Sequence, residues 1–228
     1  PHFFDPPLTR YFLGSNDAYI LLCNAVKEDL MKFKPDAECI VSPHPIYSNF
    51  GEKLSRESAC SELGISPDKK NLLFFGLIRD YKGLDILIDA FSQLDDSYQL
   101  IIAGEPYGSF EKYEKQIAAS PLKENIKLFT SYIPDDQVAP FFCASDLCVL
   151  PYRSATQSGI SSIAYHFNLP MVTTPVGGLK ESIGDTGTGI MTENVSSEAV
   201  TKAIKCYFEN EENKSVFSQN IDNEKERL

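Results

Sequence analysis

The chain has 228 residues, 43% of them hydrophobic and 23% charged, which is the balance of a folded globular chain of one to two domains. Lys and Arg number 21 against 32 Asp and Glu, and the resulting net charge of -11 argues against nucleic acid as a partner. No apolar run nears the roughly 20 residues that cross a bilayer, and the opening Pro1-His2-Phe3-Phe4-Asp5-Pro6-Pro7 lacks the pattern of a signal peptide, so the expected location is cytoplasmic. Six cysteines (Cys23, Cys39, Cys60, Cys143, Cys148 and Cys206) show no C-x-x-C spacing; they read as buried reduced thiols, and no metal site is expected.

In chain order, residues 17–23 read as a buried strand, 26–33 as a helix and 38–41 as a second strand, making one β-α-β unit. Pro43-His44-Pro45 stops regular structure, and the polar stretch 51–70 is expected to be a linker. The chain thus divides into 1–50, 51–70 and 71–228. From residue 71, apolar runs at 72–75, 100–103, 126–129, 147–150 and 171–172 alternate with turns and helical periodicity. Leu84, Leu87, Ile88, Phe91 and Leu94 share one helix face, as do Ala199, Val200, Ala203, Ile204, Tyr207 and Phe208. The fold class is α/β: a Rossmann-like, mostly parallel sheet with helices on both faces and its ligand site in the loops that follow the strands.

Three of those loops stand out. The first, Gly76 to Gly83, has neither G-x-G-x-x-G nor a P-loop, which lowers hydride transfer and ATP hydrolysis as functions. It does carry one glycine and two cations, Arg79 and Lys82, three residues apart, a spacing that aims both at one polyanion or leaves both as solvated surface charges. The second, Pro151 to Gly159, sets Ser154, Thr156, Gln157 and Ser158 before a helix over 160–167, which suits either a phosphate at the helix start or a plain N-cap. The third, Thr173 to Glu181, holds paired glycines fit for a tight turn. Glu105 after the second strand and Tyr132-Ile133-Pro134 after the next are ambiguous. His2, His44 and His166 are scattered with no triad partner, and His166 reads as structural.

Phe75-Gly76 with Arg79 and Lys82-Gly83, Ala103-Gly104-Glu105, Ala144 to Pro151, Gln157-Ser158-Gly159, Leu169 to Thr174 and Gly177-Gly178-Leu179-Lys180-Glu181 together resemble the donor-binding, carboxyl-terminal half of retaining GT-B glycosyltransferases of family 4. The likeness runs from about residue 71 to 209. It implies a nucleotide-sugar site, with a UDP- or GDP-sugar as donor and no metal or other cofactor. Arg79 and Lys82 would bind the diphosphate, Gly76 would admit the backbone, and Gln157, Ser158 and Gly159 would meet phosphate or sugar. Glu105, Tyr132 and Ile133 complete the implied donor set, with the base near Tyr132-Ile133-Pro134.

Many relatives carry Glu-x7-Glu where this chain has Ala155 and Ile163, so it resembles a Gln-Ser-Gly variant. The unit at 17–41 is expected to be the last piece of an acceptor domain, and the ending to lack the family's final helix that crosses back. The chain is therefore expected to be a fragment that binds donor and transfers nothing by itself. The acceptor sugar, glycan or lipid-linked glycan would bind through the other domain. A nucleotide-sugar epimerase of the same fold and a non-catalytic Rossmann-like module are the alternatives.

Overall fold

The computed structural model describes residues 5–228 except Ser48, so His2 lies outside the described residues. Helix α1 (Asp5–Gly14) leads into strand β1 (Ala18–Leu21), helix α2 (Asn24–Phe33) and strand β2 (Glu38–Val41). The two strands pair in parallel, Ile20 opposite Ile40, and both of these side chains are exposed.

Residues 51–70, expected as a linker, contain helix α3 (Arg56–Leu63), packed on the main body through Ala59 and Cys60. Ser55 caps it by accepting from the Ser58 N–H, and Gly64 ends it in the left-handed conformation. Arg56 then grips Asp146 with two hydrogen bonds of 2.9 Å, while Asp146 also accepts from the Asn71 N–H at 2.8 Å. The polar look of the stretch conceals these anchors.

The remaining elements are β3 (Lys70–Phe75), α4 (Leu84–Phe91), β4 (Tyr98–Ala103), α5 (Glu111–Ala119), β5 (Ile126–Phe129), α6 (Ala139–Cys143), β6 (Leu147–Leu150), α7 (Gly159–His166), β7 (Met171–Thr173), β8 (Gly189–Met191), α8 (Ser197–Glu209) and α9 (Glu212–Arg227). Strands β3 to β8 form one sheet in the order β5-β4-β3-β6-β7-β8, every neighbour parallel. Alternate residues of a strand point to opposite faces. Leu73, Phe75, Cys148 and Leu150 join one core with α3, α6 and α7; Leu72, Phe74, Leu147 and Val149 join the other with α4 and α8. Such a sheet is buried on both sides, which is why its strands read as unbroken apolar runs.

Two expectations are corrected. Helix α9 follows α8 and packs on α7, with Ile221 fully buried, so the final residues are helical where no last helix was expected. Of the cysteines, all free, Cys23, Cys60 and Cys148 are buried, Cys39 and Cys143 are half-buried, and Cys206 is exposed on α8. No helix among the described residues is long and apolar enough to cross a membrane.

Candidate nucleotide-sugar site

The sheet order reverses between β3 and β6, which lie side by side while their connections run to opposite edges. In an open α/β sheet that switch point leaves a crevice at the carboxyl ends of the strands. The loops entering it are those after β3 and β6, carrying Gly76–Gly83 and Pro151–Ser158.

Close approaches at glycine fix the first loop. Gly76 and Gly104 both have positive φ, and a Cβ on Gly104 would fall 2.3 Å from the Gly76 carbonyl oxygen. Backbone bonds from Gly76 N–H to Ala103 O, from Ile78 N–H to Glu105 O and from Tyr107 N–H to Ile78 O complete the seam. A single 3-10 turn, Asp80–Lys82, ends at left-handed Gly83, where a Cβ would lie 2.0 Å from the Pro151 carbonyl oxygen. Arg153 locks the two loops together. Its guanidinium donates to the Asp85 carboxylate at 2.8 Å and to the Asp80 carbonyl at 3.0 Å, and its N–H donates to Tyr81 O.

That turn sends the two expected cations in different directions. Arg79 is exposed, its guanidinium 4.4 Å from the centre of the Tyr107 ring. Lys82 is turned inward and only 8% exposed, with its ammonium 5.8 Å from the Tyr152 ring centre and no ion pair or hydrogen bond among the described residues. Burial, aided by the nearby Arg79 charge, brings its pKa down to about 8. A buried charge without a partner is costly, so this position favours an anion beside it.

The place for the anion is defined by α7. A Cβ on Gly76 would meet both the Lys82 ammonium and the Ile160 side chain at 3.1 Å, so the lysine head and the side-chain tip of the second residue of α7 both close on the bare Gly76 backbone. Ser158, at the N-cap, does not cap the helix; its hydroxyl is 3.1 Å from the Tyr152 hydroxyl instead. Among the described residues the Gly159 and Ile160 N–H groups have no hydrogen-bond partner. Free amides at a helix start and an unpaired lysine form an anion-binding arrangement.

Two cavities flank this point. One, of about 270 Å³, is lined by Phe75, Gly76, Leu77, Gly104, Glu105, Tyr132 and Ile133. It gathers four expected residues, Gly76, Glu105, Tyr132 and Ile133, next to the seam. The other, of about 400 Å³, lies between the first β-α-β unit and α7, with Gln157 and Ser158 on its wall beside Cys23, His44, Ser162 and Glu181. The paired glycines explain the tight turn there: a Cβ on Gly177 would be 1.6 Å from Ala155 O, and one on Gly178 would be 2.4 Å from Thr156 O. Ala155 and Ile163 offer no polar side chain, and Ile163 is buried in the core. His166 is structural as expected, its ring N–H donating to Gly51 O at 2.9 Å. Sequence reasoning left His44 without a partner and passed over Tyr47; the structure joins them at 2.8 Å. Among the described residues no group of three or more His, Cys, Asp or Glu is placed to hold a metal ion.

The fold and this crevice define a doubly wound α/β chain of the GT-B glycosyltransferase type. The sequence profile described as Glycosyl transferases group 1 matches residues 55–224, and the chain belongs to that family. Among its relatives is the D-inositol 3-phosphate glycosyltransferase of Corynebacterium aurimucosum, 25% identical over 205 residues, which cover 83% of this chain and 48% of that one. A 41.2 kDa protein from the cps region of Klebsiella pneumoniae is 28% identical over 156 residues, 68% of this chain and 40% of its own. The chain thus spans less than half the length of these relatives. Sucrose-phosphate synthase of Thermosynechococcus elongatus shares the fold with a TM-score of 0.87 at 18% identity, covering 98% of this chain and 57% of that one. Anabaena HepE, solved in complex with UDP, does so with a TM-score of 0.85 at 18% identity, covering 99% and 64%.

Proposed function

We propose that this chain is the donor-binding part of a retaining glycosyltransferase and holds a nucleoside diphosphate sugar, UDP- or GDP-linked, at the carboxyl ends of β3 and β6. The observation that carries this reading is Lys82: a buried, unpaired ammonium beside the bare backbone of Gly76 and the uncapped first turn of α7. The diphosphate lies there, between Lys82 and the amides of Gly159 and Ile160. Arg79 adds charge from the rim, and the base enters the cavity of Gly76, Glu105, Tyr132 and Ile133. The sugar extends toward Gln157 and Ser158. HepE, which shares the fold, was solved with UDP and with UDP-glucose, and this supports the choice of ligand class.

The chemistry of such a site is leaving-group stabilisation. As the sugar departs, negative charge grows on the diphosphate, and a preorganised cation and oriented amides stabilise it without a metal. The site works at the cytoplasmic side. Residues 1–50 are the edge of an acceptor domain: a two-stranded parallel sheet is too small to stand alone, and Ile20 and Ile40 expose paired apolar side chains on one face for a further layer to cover. The acceptor sugar, glycan or lipid-linked glycan is held mainly by that domain, and this chain alone transfers nothing. A thermal-shift series with UDP, GDP and ADP tests the reading. Stabilisation by one of them, abolished in Arg79→Glu and Lys82→Glu, supports it; no response to any nucleoside diphosphate contradicts it.

A further inference from the structure

The irregular segment that joins the two units passes the amino end of helix α7. From that segment Tyr47 lays its ring against Gly159. A Cβ on Gly159 would be 3.5 Å from the Tyr47 ring edge and 3.8 Å from its hydroxyl. Since Cβ atoms in a helix tilt toward the amino terminus, the phenol sits at the mouth of the turn whose amides are free. Lys82 and the Ile160 side-chain tip both come up to Gly76, each 3.1 Å from where a Cβ on Gly76 would stand. Tyr47 thus touches the first residue of the helix whose second residue shares Gly76 with the lysine.

The phenol is also held in place. Its hydroxyl lies 2.8 Å from His44 Nε2, and His44 Nδ1 lies 2.9 Å from the Pro45 carbonyl oxygen. A carbonyl only accepts, so Nδ1 carries a proton and donates; in the neutral ring Nε2 then accepts the Tyr47 proton. The ring itself rests on Phe50 at 5.8 Å between centroids. A phenol has one proton to give, and turning it from His44 to an arriving anion takes only rotation about its C–O bond.

We propose that Tyr47 is a phosphate-binding residue of this site, its hydroxyl donating to the diphosphate held at the first turn of α7. The inference rests on the donor reading above. It means that the segment between the two units, already packed against α7, supplies part of the diphosphate site.

Tyr47→Phe keeps the ring and removes only the donor. Its affinity for UDP or GDP, whichever the unaltered chain binds, falls about tenfold, the scale of a lost hydrogen bond to a charged group. Its affinity for the matching nucleoside, uridine or guanosine followed by NMR, is unchanged, because the base site lies across the seam at Tyr132. Tyr47→Phe also forfeits the His44 hydrogen bond, so its ligand-free melting midpoint falls slightly, and the reading is taken from diphosphate affinity relative to nucleoside affinity. Equal diphosphate affinity in Tyr47→Phe and the unaltered chain overturns the inference and leaves the donor site standing. An equal loss for nucleoside and diphosphate also overturns it. Failure of the unaltered chain to bind either diphosphate removes the donor reading itself.

Discussion

The Glu181 carboxylate closes the amino end of α2 by accepting from the Ala25 N–H at 2.8 Å, and its second oxygen accepts from the N–H and side-chain amide of Asn24, each at 2.8 Å. Residues 156 positions apart are thereby joined, one in the first unit and one in the short helical turn Lys180–Gly184 that follows the paired glycines. Cys23 adds a weaker tie, its thiol donating to Thr156 O at 3.3 Å. Through this contact the first unit is fastened to the loop that carries Gln157 and Ser158.

Glu181→Ala should therefore destabilise the chain by about 1 to 2 kcal/mol, the cost of losing an N-terminal cap. Burial works against the ionised carboxylate, but the hydrogen bonds from Asn24 and Ala25 outweigh it and hold the Glu181 pKa below its ordinary 4.5. A depressed acidic pKa contributes stability that is present above the unfolded value and lost as pH falls through the folded one. Urea unfolding should show the gap between the unaltered chain and Glu181→Ala constant near neutrality and shrinking below about pH 4.5.

Lys82 is held at a cost to folding. Its pKa falls from 10.5 to about 8, so the unfolded chain binds the extra proton between those values and stability rises with pH across that window. Lys82→Met, which fills the same space without charge, should be more stable at pH 7 by about 1 to 3 kcal/mol and should lose the rise above pH 8. Unfolding curves at pH 7 and pH 9.5 check both.

Gly83 and Gly64 share a conformation but differ in surroundings. Their φ angles are 68° and 64°, yet a Cβ on Gly83 strikes Pro151 O while one on Gly64 meets nothing within 4 Å. Gly64→Ala should cost about 1 kcal/mol, the strain of the left-handed backbone alone. Gly83→Ala should cost more than about 2 kcal/mol, because the loops after β3 and β6 must part. The same change should weaken diphosphate binding, since Lys82 is the preceding residue.

Arg153 and Asp85 hold those loops from the outside, both side chains partly exposed. Asp85→Asn should lower stability by less than about 1 kcal/mol, as for an exposed pair, yet reduce diphosphate affinity severalfold by loosening the Asp80–Lys82 turn. Parallel melting and titration separate the two effects.

The sheet was legible because a doubly buried strand must be apolar along its whole length. The sequence expectation for β2, β5 and β6 coincides with the observed bounds, and β3 and β4 run only two residues longer. The helices it overlooked hide for a physical reason. Helix α3 buries only Ala59 and Cys60, and α9 buries only Ile221, so neither shows an apolar stripe. Strand β8 is three residues long and half-buried. At the site, loop positions were readable but side-chain direction was not. Nothing in the spacing of Arg79 and Lys82 shows which one turns inward; that depends on Gly83 packing against Pro151. Tyr47 lies in an irregular segment with no period to mark it, and it meets Gly159, 112 positions further along the chain, only through the intervening fold.

The most direct test of the site is a calorimetric titration of the unaltered chain and Lys82→Met with UDP and GDP across pH 6 to 9.5. One diphosphate should bind the unaltered chain, with an affinity that is level from about pH 7 to pH 8 and declines above about pH 8 as the ammonium loses its proton, and Lys82→Met should bind at least tenfold more weakly with no such decline. Equal binding by Lys82→Met, or no binding of either diphosphate to the unaltered chain, would contradict the donor reading.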